Sequence, residues 1–182
     1  MTAIVGLIDA GRVVMGADSL GSDGWHVMAR GDAKLFRRGE YLIGFTSSFR
    51  MGQLIRYRAD LPTPWEWEHD LLAFMSTRFV DAVRECLKEY GLAKIEHNVE
   101  QGGAFLVGFR GVLYQIESDY QVGVRSDGFD AVGSGEQAAL GSLYTSAVLR
   151  GGAEGRVRMA LEAAAAMTAH VRGPFHIEVL GG

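Results

Sequence analysis

Three residues near the start of the chain, Thr2, Asp18 and Lys34, recur at even intervals, and their types suit one kind of chemistry. A threonine hydroxyl is a weak nucleophile, and a chain-terminal amine beside it can serve as its base. Such an amine has an ordinary pKa of roughly 7.7 to 8.0, so a sizeable neutral fraction exists near neutral pH. A neighbouring lysine cation disfavours the ammonium form and pushes that pKa down, while an aspartate keeps the lysine charged and oriented. Thr2 carries its own terminal amine only once Met1 is removed, a step that a small second residue generally permits.

Paired strands must bring these groups together. Met1 to Ile8 is a near-continuous apolar run, the pattern of a strand buried on both faces. Asp9-Ala10-Gly11-Arg12 is a turn, and Val13 to Ala17 returns as a second apolar strand, which predicts an antiparallel hairpin. With the turn centred on Ala10-Gly11, Thr2 falls opposite Asp18 or Ser19. A second hairpin, Asp32 to Phe36 and Tyr41 to Phe45 around Arg37-Arg38-Gly39-Glu40, carries Lys34 towards an apolar centre. A buried cation needs a partner, and Asp18 is the one this pattern offers. Singly, Asp18 reads as a turn residue and Lys34 as a solvated residue of an edge strand.

These residues, with Val27-Met28 ahead of the lysine, Ile43-Gly44-Phe45 ahead of the first helix and a later Gly133-Ser134-Gly135, resemble the proteasome β-subunit family. The likeness is strongest to the bacterial HslV-type peptidases, which are N-terminal nucleophile hydrolases. The resemblance implies Thr2 as nucleophile, Asp18 and Lys34 as its supporting pair, and Ser134 near the nucleophile's amine. It also implies that backbone N–H groups of Thr46-Ser47-Ser48 stabilise the tetrahedral oxyanion. Ser47 stands where the family usually has glycine. The implied fold is α+β, a four-layer αββα sandwich of two antiparallel sheets between helix layers. The implied activity is cleavage of peptide or unfolded-protein substrates through an acyl-enzyme on Thr2, in closed rings of identical subunits fed by an ATPase unfoldase. One departure stands out. The family has an aspartate late in its last helix, whereas this chain reads Ala163-Ala164-Ala165-Ala166-Met167-Thr168, with no carboxylate between Glu162 and Glu178. Thr168 is expected to supply part of the hydrogen bonding but none of the charge. Two other readings therefore accompany the peptidase: an amidase acting on small amides through the same nucleophile, and a catalytically idle ring or scaffold protein.

The rest of the chain fits a single domain spanning 1–182. At 182 residues and 48% apolar composition it is long enough to bury a sizeable core. A net charge of −4 without a basic patch argues against nucleic-acid binding. The single cysteine, Cys86, excludes an internal disulfide and fits a reducing, cytoplasmic compartment. No apolar run reaches membrane-spanning length. His26, His69, His97, His170 and His176 lie at no ligand spacing, and Gly102-Gly103 lacks the phosphate-loop pattern, so no metal or cofactor is expected.

Periodicity predicts a helix over Ser47–Arg58, stopped by Leu61-Pro62-Thr63-Pro64, and a long amphipathic helix over Glu68–Tyr90 ended by Gly91. Trp65 and Trp67 read as caps of this helix pair at the domain edge, or else as an interface or a substrate-contacting rim. Strands are predicted at Ala104–Phe109, Val112–Ile116, Tyr120–Val124 and Phe129–Val132. Ser134-Gly135-Glu136-Gln137 reads as a capping box for a helix to Leu149, followed by an alanine-rich helix over Ala153–His170 and a strand over Phe175–Leu180. Segregated runs of strands and helices favour stacked sheets over alternating βαβ units.

Overall fold

The computed structural model describes residues 2–96, 99–148 and 151–181. Met1 of the first predicted strand, His97, and Leu149 at a predicted helix end lie outside them. β1 (Ile4–Asp9) and β2 (Arg12–Ala17) form the expected hairpin. Ala10 and Gly11 both take positive φ, 49° and 79°, the two-residue turn whose twist matches the flanking strands. Ile4 pairs with Ala17 and Asp9 with Arg12, which is the second of the two expected registers. β3 (Leu20–Ser22) and β4 (Val27–Ala29) form a short hairpin within what reads as loop composition. β5 (Leu35–Arg38) and β6 (Tyr41–Phe45) make the second long hairpin. Lys34 precedes β5, and its carbonyl accepts from the Phe45 N–H at 3.0 Å.

α1 (Phe49–Tyr57) starts later than periodicity predicts, because Ser48 is its N-cap, accepting from the Met51 N–H at 3.3 Å. The predicted long helix begins at Asp70, which caps α2 (Leu71–Phe74) by accepting from the Ala73 N–H at 2.9 Å. Glu68 is drawn instead to Arg78 at 2.6 Å. A π-helical turn, Met75–Phe79, joins α2 to α3 (Val80–Glu89), and Gly91 at φ 73° ends the run. Trp65 and Trp67 stack with centroids 4.9 Å apart, and the Arg78 guanidinium lies 3.8 Å from the Trp65 ring centroid, so the pair sits over the π turn.

After the small hairpin of β7 (Lys94–Glu96) and β8 (Val99–Gln101) come β9 (Phe105–Phe109), β10 (Val112–Ile116) and β11 (Val122–Gly123). β11 is shorter than predicted because Tyr120 turns the chain at φ 68°. β12 (Phe129–Val132) leaves this meander for the other sheet. α4 (Glu136–Ser146), α5 (Ala153–Met167) and β13 (His176–Leu180) complete the chain. Gly135, not Ser134, is the N-cap of α4, and no side chain caps it.

One sheet has the order β12-β1-β2-β13 and the other β11-β10-β9-β6-β5, with every neighbouring pair antiparallel. Three apolar clusters pack the faces of these sheets, one of them between the two. Ile4, Val13, Met15 and Val132 of the first sheet meet Leu35, Leu42, Leu106 and Leu113 of the second. The outer face of the second sheet packs Phe36, Ile43 and Phe109 against Leu54 and Ile55 of α1 and Phe79 and Val83 of the following helices. The outer face of the first packs Val5, Leu7 and Val14 against Leu143 of α4 and Val157 and Leu161 of α5. Each such fully buried aliphatic or aromatic side chain stabilises the fold by about 1.5–3 kcal/mol. Among the described residues, no helix is long and apolar enough to cross a membrane.

The sheets approach closely at Gly44, where an added Cβ would sit 2.4 Å from Ile4 Cγ2. Gly44→Ala is expected to destabilise by about 1–3 kcal/mol through overpacking. Gly141, in α4 with open space around it, is expected to behave oppositely, Gly141→Ala stabilising by about 0.5–1 kcal/mol through helix propensity. Urea unfolding of the two variants checks the opposite signs.

Candidate active site

The β1–β2 register sets Ala3 beside Asp18, whose N–H donates to the Ala3 carbonyl at 3.2 Å. The Asp18 carboxylate is fully buried and well supplied with donors. Its Oδ1 accepts from the Ala3 N–H at 3.0 Å and from Lys34 Nζ at 2.8 Å, and its Oδ2 from the Leu20 N–H at 3.0 Å and the Arg172 N–H at 3.5 Å. Backbone of three separate segments thus holds one carboxylate, which in turn fixes the lysine. The Lys34 side chain is only 2% exposed. Burial lowers its pKa from the usual lysine value, against the opposing pull of Asp18 and with some help from Arg30.

Thr2 is buried at the mouth of β1. Its N–H donates to Ser134 Oγ at 3.1 Å, and the Ser134 hydroxyl donates back to the Thr2 carbonyl at 3.2 Å. The Gly135 N–H donates to the same carbonyl at 3.3 Å. The turn between β12 and α4 approaches so closely that a Cβ at Gly133, which has φ 102°, would lie 2.4 Å from the Thr2 oxygen. Ser134 therefore engages Thr2 rather than capping α4, a correction to the capping-box expectation.

Thr2 and Lys34 line one pocket of about 100 Å³ with Leu20, Ser22, Phe45 and the stretch Thr46 to Phe49. Ser47 lies on its rim in the left-handed region, at φ 66°. The Ser48 N–H donates back to the Thr46 carbonyl at 2.7 Å around it, a positive-φ γ-turn. Among the described residues no acceptor takes the Ser47 N–H. The expected helical start at Ser47 is thus replaced by a turn that leaves this donor available. Phe49 forms a wall, with the Arg30 guanidinium 3.9 Å from its centroid and held by Asp32 at 2.7 Å.

The structure brings together Thr2, Asp18, Lys34, Ser134 and Ser47, all five candidates. Thr168 goes elsewhere: its hydroxyl oxygen accepts from the His170 N–H at 3.1 Å, just past the end of α5. Two contributions escaped sequence reasoning. The Arg172 N–H reaches Asp18 across 154 positions, and the Ser19 hydroxyl donates to the Pro174 carbonyl at 2.5 Å. Neither had a local signal, since each depends on a backbone group of a loop far away in the chain, the Arg172 N–H in one case and the Pro174 carbonyl in the other. A larger cleft of about 570 Å³, lined by Asp81, Arg84, Glu100 and Tyr120 among others, lies away from Thr2. Among the described residues, no group of three or more His, Cys, Asp or Glu could hold a metal ion.

Scans of the sequence find no matching family model and no matching curated protein. Solved structures do match. Thiobacillus denitrificans BPH, a bacterial proteasome homologue, superposes with a TM-score of 0.84 at 24% identity over 99% of both chains. Its complex with epoxomicin gives 0.83 at 23% over 100% of both. HslV from Trypanosoma brucei gives 0.72 at 20%, again over 100% of both. The chain has the fold of these proteins along its whole length, in agreement with the resemblance carried by the sequence.

Asp18→Asn removes the counter-charge of a buried cation and is expected to cost about 3–5 kcal/mol near neutral pH. Because the folded-state pKa of Lys34 lies below its unfolded value, the cost of burying the cation is fully present below the folded pKa and is relieved as pH rises towards the unfolded pKa of 10.5. The penalty of Asp18→Asn should therefore shrink at about pH 10. Urea unfolding at the two pH values tests this, and an undiminished penalty would show that the lysine charge is not its source.

Proposed function

We propose that this chain, with Met1 removed, is a threonine-type N-terminal nucleophile peptidase that cleaves peptide bonds through an acyl-enzyme on Thr2. The observation that carries the reading is Lys34, paired with the buried Asp18 and lining one pocket with Thr2, whose nitrogen bonds Ser134 Oγ. In the processed chain that nitrogen is the terminal amine. It takes the proton of the Thr2 hydroxyl as Oγ attacks the scissile carbonyl carbon. The Ser47 N–H donates to the oxyanion that forms. Collapse expels the peptide amine, which leaves with the proton, and water then attacks the ester to release the acid and regenerate Thr2. Lys34 keeps the terminal amine unprotonated by disfavouring a second cation, and Asp18 keeps Lys34 in place.

The arrangement of the three apolar clusters supports a single αββα four-layer domain. A fold shared with HslV and BPH supports a cytoplasmic ring of identical subunits that takes peptide or unfolded-protein substrates from an ATPase unfoldase. The absence of a carboxylate from 163 to 168 favours a second reading, a ring or scaffold protein without turnover. An amidase acting on small amides would use the same groups.

Intact mass before and after incubation with epoxomicin, the compound bound in one BPH structure, separates these. The peptidase is expected to lack Met1 and to gain one inhibitor, with no adduct in Thr2→Ala. A retained Met1, or a free Thr2 that never labels, would leave the scaffold reading. Comparing turnover of a peptide with that of a small amide distinguishes the two enzymes. The pH profile supplies a further check: labelling should rise with pH as the terminal amine deprotonates, and Lys34→Met should move that rise to higher pH because a neighbouring cation is lost.

A further inference from the structure

Ser47 poses a physical problem. A side-chain-bearing residue at φ 66° is held in a region that favours glycine, and a strained turn persists only where its surroundings over-determine it. Thr46 supplies that constraint. It is buried, and both its N–H and its hydroxyl donate to the Ala104 carbonyl, at 3.0 and 2.9 Å. The single hydroxyl proton of Thr46 is thereby used, so the Ser47 hydroxyl is the donor across the 3.1 Å contact to Thr46 Oγ1. The Thr46 carbonyl accepts the Ser48 N–H that closes the γ-turn, and Ser48 then caps α1. The Thr46 methyl also faces the Gly133 turn, 3.3 Å from where a Cβ on that glycine would sit, beside the Thr2 carbonyl. Room for the Ser47 side chain comes from Gly103, whose added Cβ would lie 3.3 Å from Ser47 Cβ.

We infer that Thr46 is a positioning residue, whose hydroxyl clamps the Ser47 side chain to the Ala104 carbonyl and so aims the Ser47 N–H into the Thr2 pocket. The catalytic part of this inference rests on the peptidase reading above; the clamp itself does not. A glycine at position 47 would reach the same φ without strain and would need no clamp. The two side chains are therefore coupled: the hydroxyl at 46 is required because a serine stands at 47.

Thr46→Val preserves the methyl and the volume but removes the hydroxyl, while Thr46→Ser restores the hydroxyl alone. Thr46→Val is expected to lower kcat about tenfold or more with KM within about twofold of wild type, as befits a donor that acts on the developing oxyanion. Thr46→Ser should recover most of the loss. In a Ser47→Gly background, Thr46→Val should cost no more than about threefold, a non-additivity that marks the coupling. A second readout needs no activity: amide exchange of the Ser48 N–H, followed by NMR in the uninhibited protein, should speed up in Thr46→Val but not in Thr46→Ser. Equal losses in both backgrounds, or unchanged kcat together with unchanged Ser48 exchange, would overturn the inference. If the wild type neither turns over peptide nor labels with epoxomicin, the peptidase reading fails, and Ser48 exchange alone decides whether the clamp exists.

Discussion

The constraint on which the site depends is the burial of one positive charge. Lys34 leaves water just before the start of β5, and an ammonium in such a place is tolerable only with a counter-charge and satisfied hydrogen bonds. Asp18 meets both needs, yet its own carboxylate must then be satisfied, and that requirement reaches across the molecule. Ala3 of β1, Leu20 at the start of β3 and Arg172 of the loop before β13 each contribute an N–H. The hairpin register, the position of Lys34 and the course of the last loop are thus conditions on a single ion pair. A pair that by itself adds little net stability becomes the point at which the site's geometry is defined.

The same economy governs the turn that faces it. Gly133 brings its backbone against Thr2, where any side chain would collide, and Ser134 both donates to and accepts from that residue's backbone. In the pocket that Thr2 lines, Ser47 occupies a conformation suited to glycine and keeps its N–H off the turn's own hydrogen bond. Thr2 is therefore flanked by two tight turns of different construction, one made possible by a missing Cβ and the other held by hydroxyl contacts. Both turns sit at junctions of strand and helix, where the two apolar cores on either side leave little freedom to move.

Much of the fold is legible in the residues themselves. The apolar runs of β1, β2, β5, β6, β9 and β10 are continuous enough to identify strands, and turns such as Ala10-Gly11 fix their pairing. The elements that depart from expectation share a cause: a local contact competing with periodicity. Asp70 captures the start of α2 while Glu68 turns to Arg78, Tyr120 bends the chain before β11, and Ser48 shortens α1. The hairpin of β3 and β4 has only three residues in each strand, and in β4 the apolar Val27-Met28-Ala29 is exposed throughout, so no alternation marked it.

By itself, the sequence determined which chemical groups exist and, through hairpin register, that Thr2 and Asp18 are neighbours, because strand pairing is a short-range consequence of apolar period and turn chemistry; that Lys34 meets Asp18 followed only from a buried cation's need for a partner. Only the tertiary structure decided how those groups are satisfied. The Arg172 N–H on Asp18, Ser134 on Thr2 rather than on its own helix, the left-handed Ser47 and the local engagement of Thr168 all depend on loops far apart in the chain. Such contacts are set by the packing of two sheets and two pairs of helices, and a backbone N–H carries no residue-specific mark that a sequence could display.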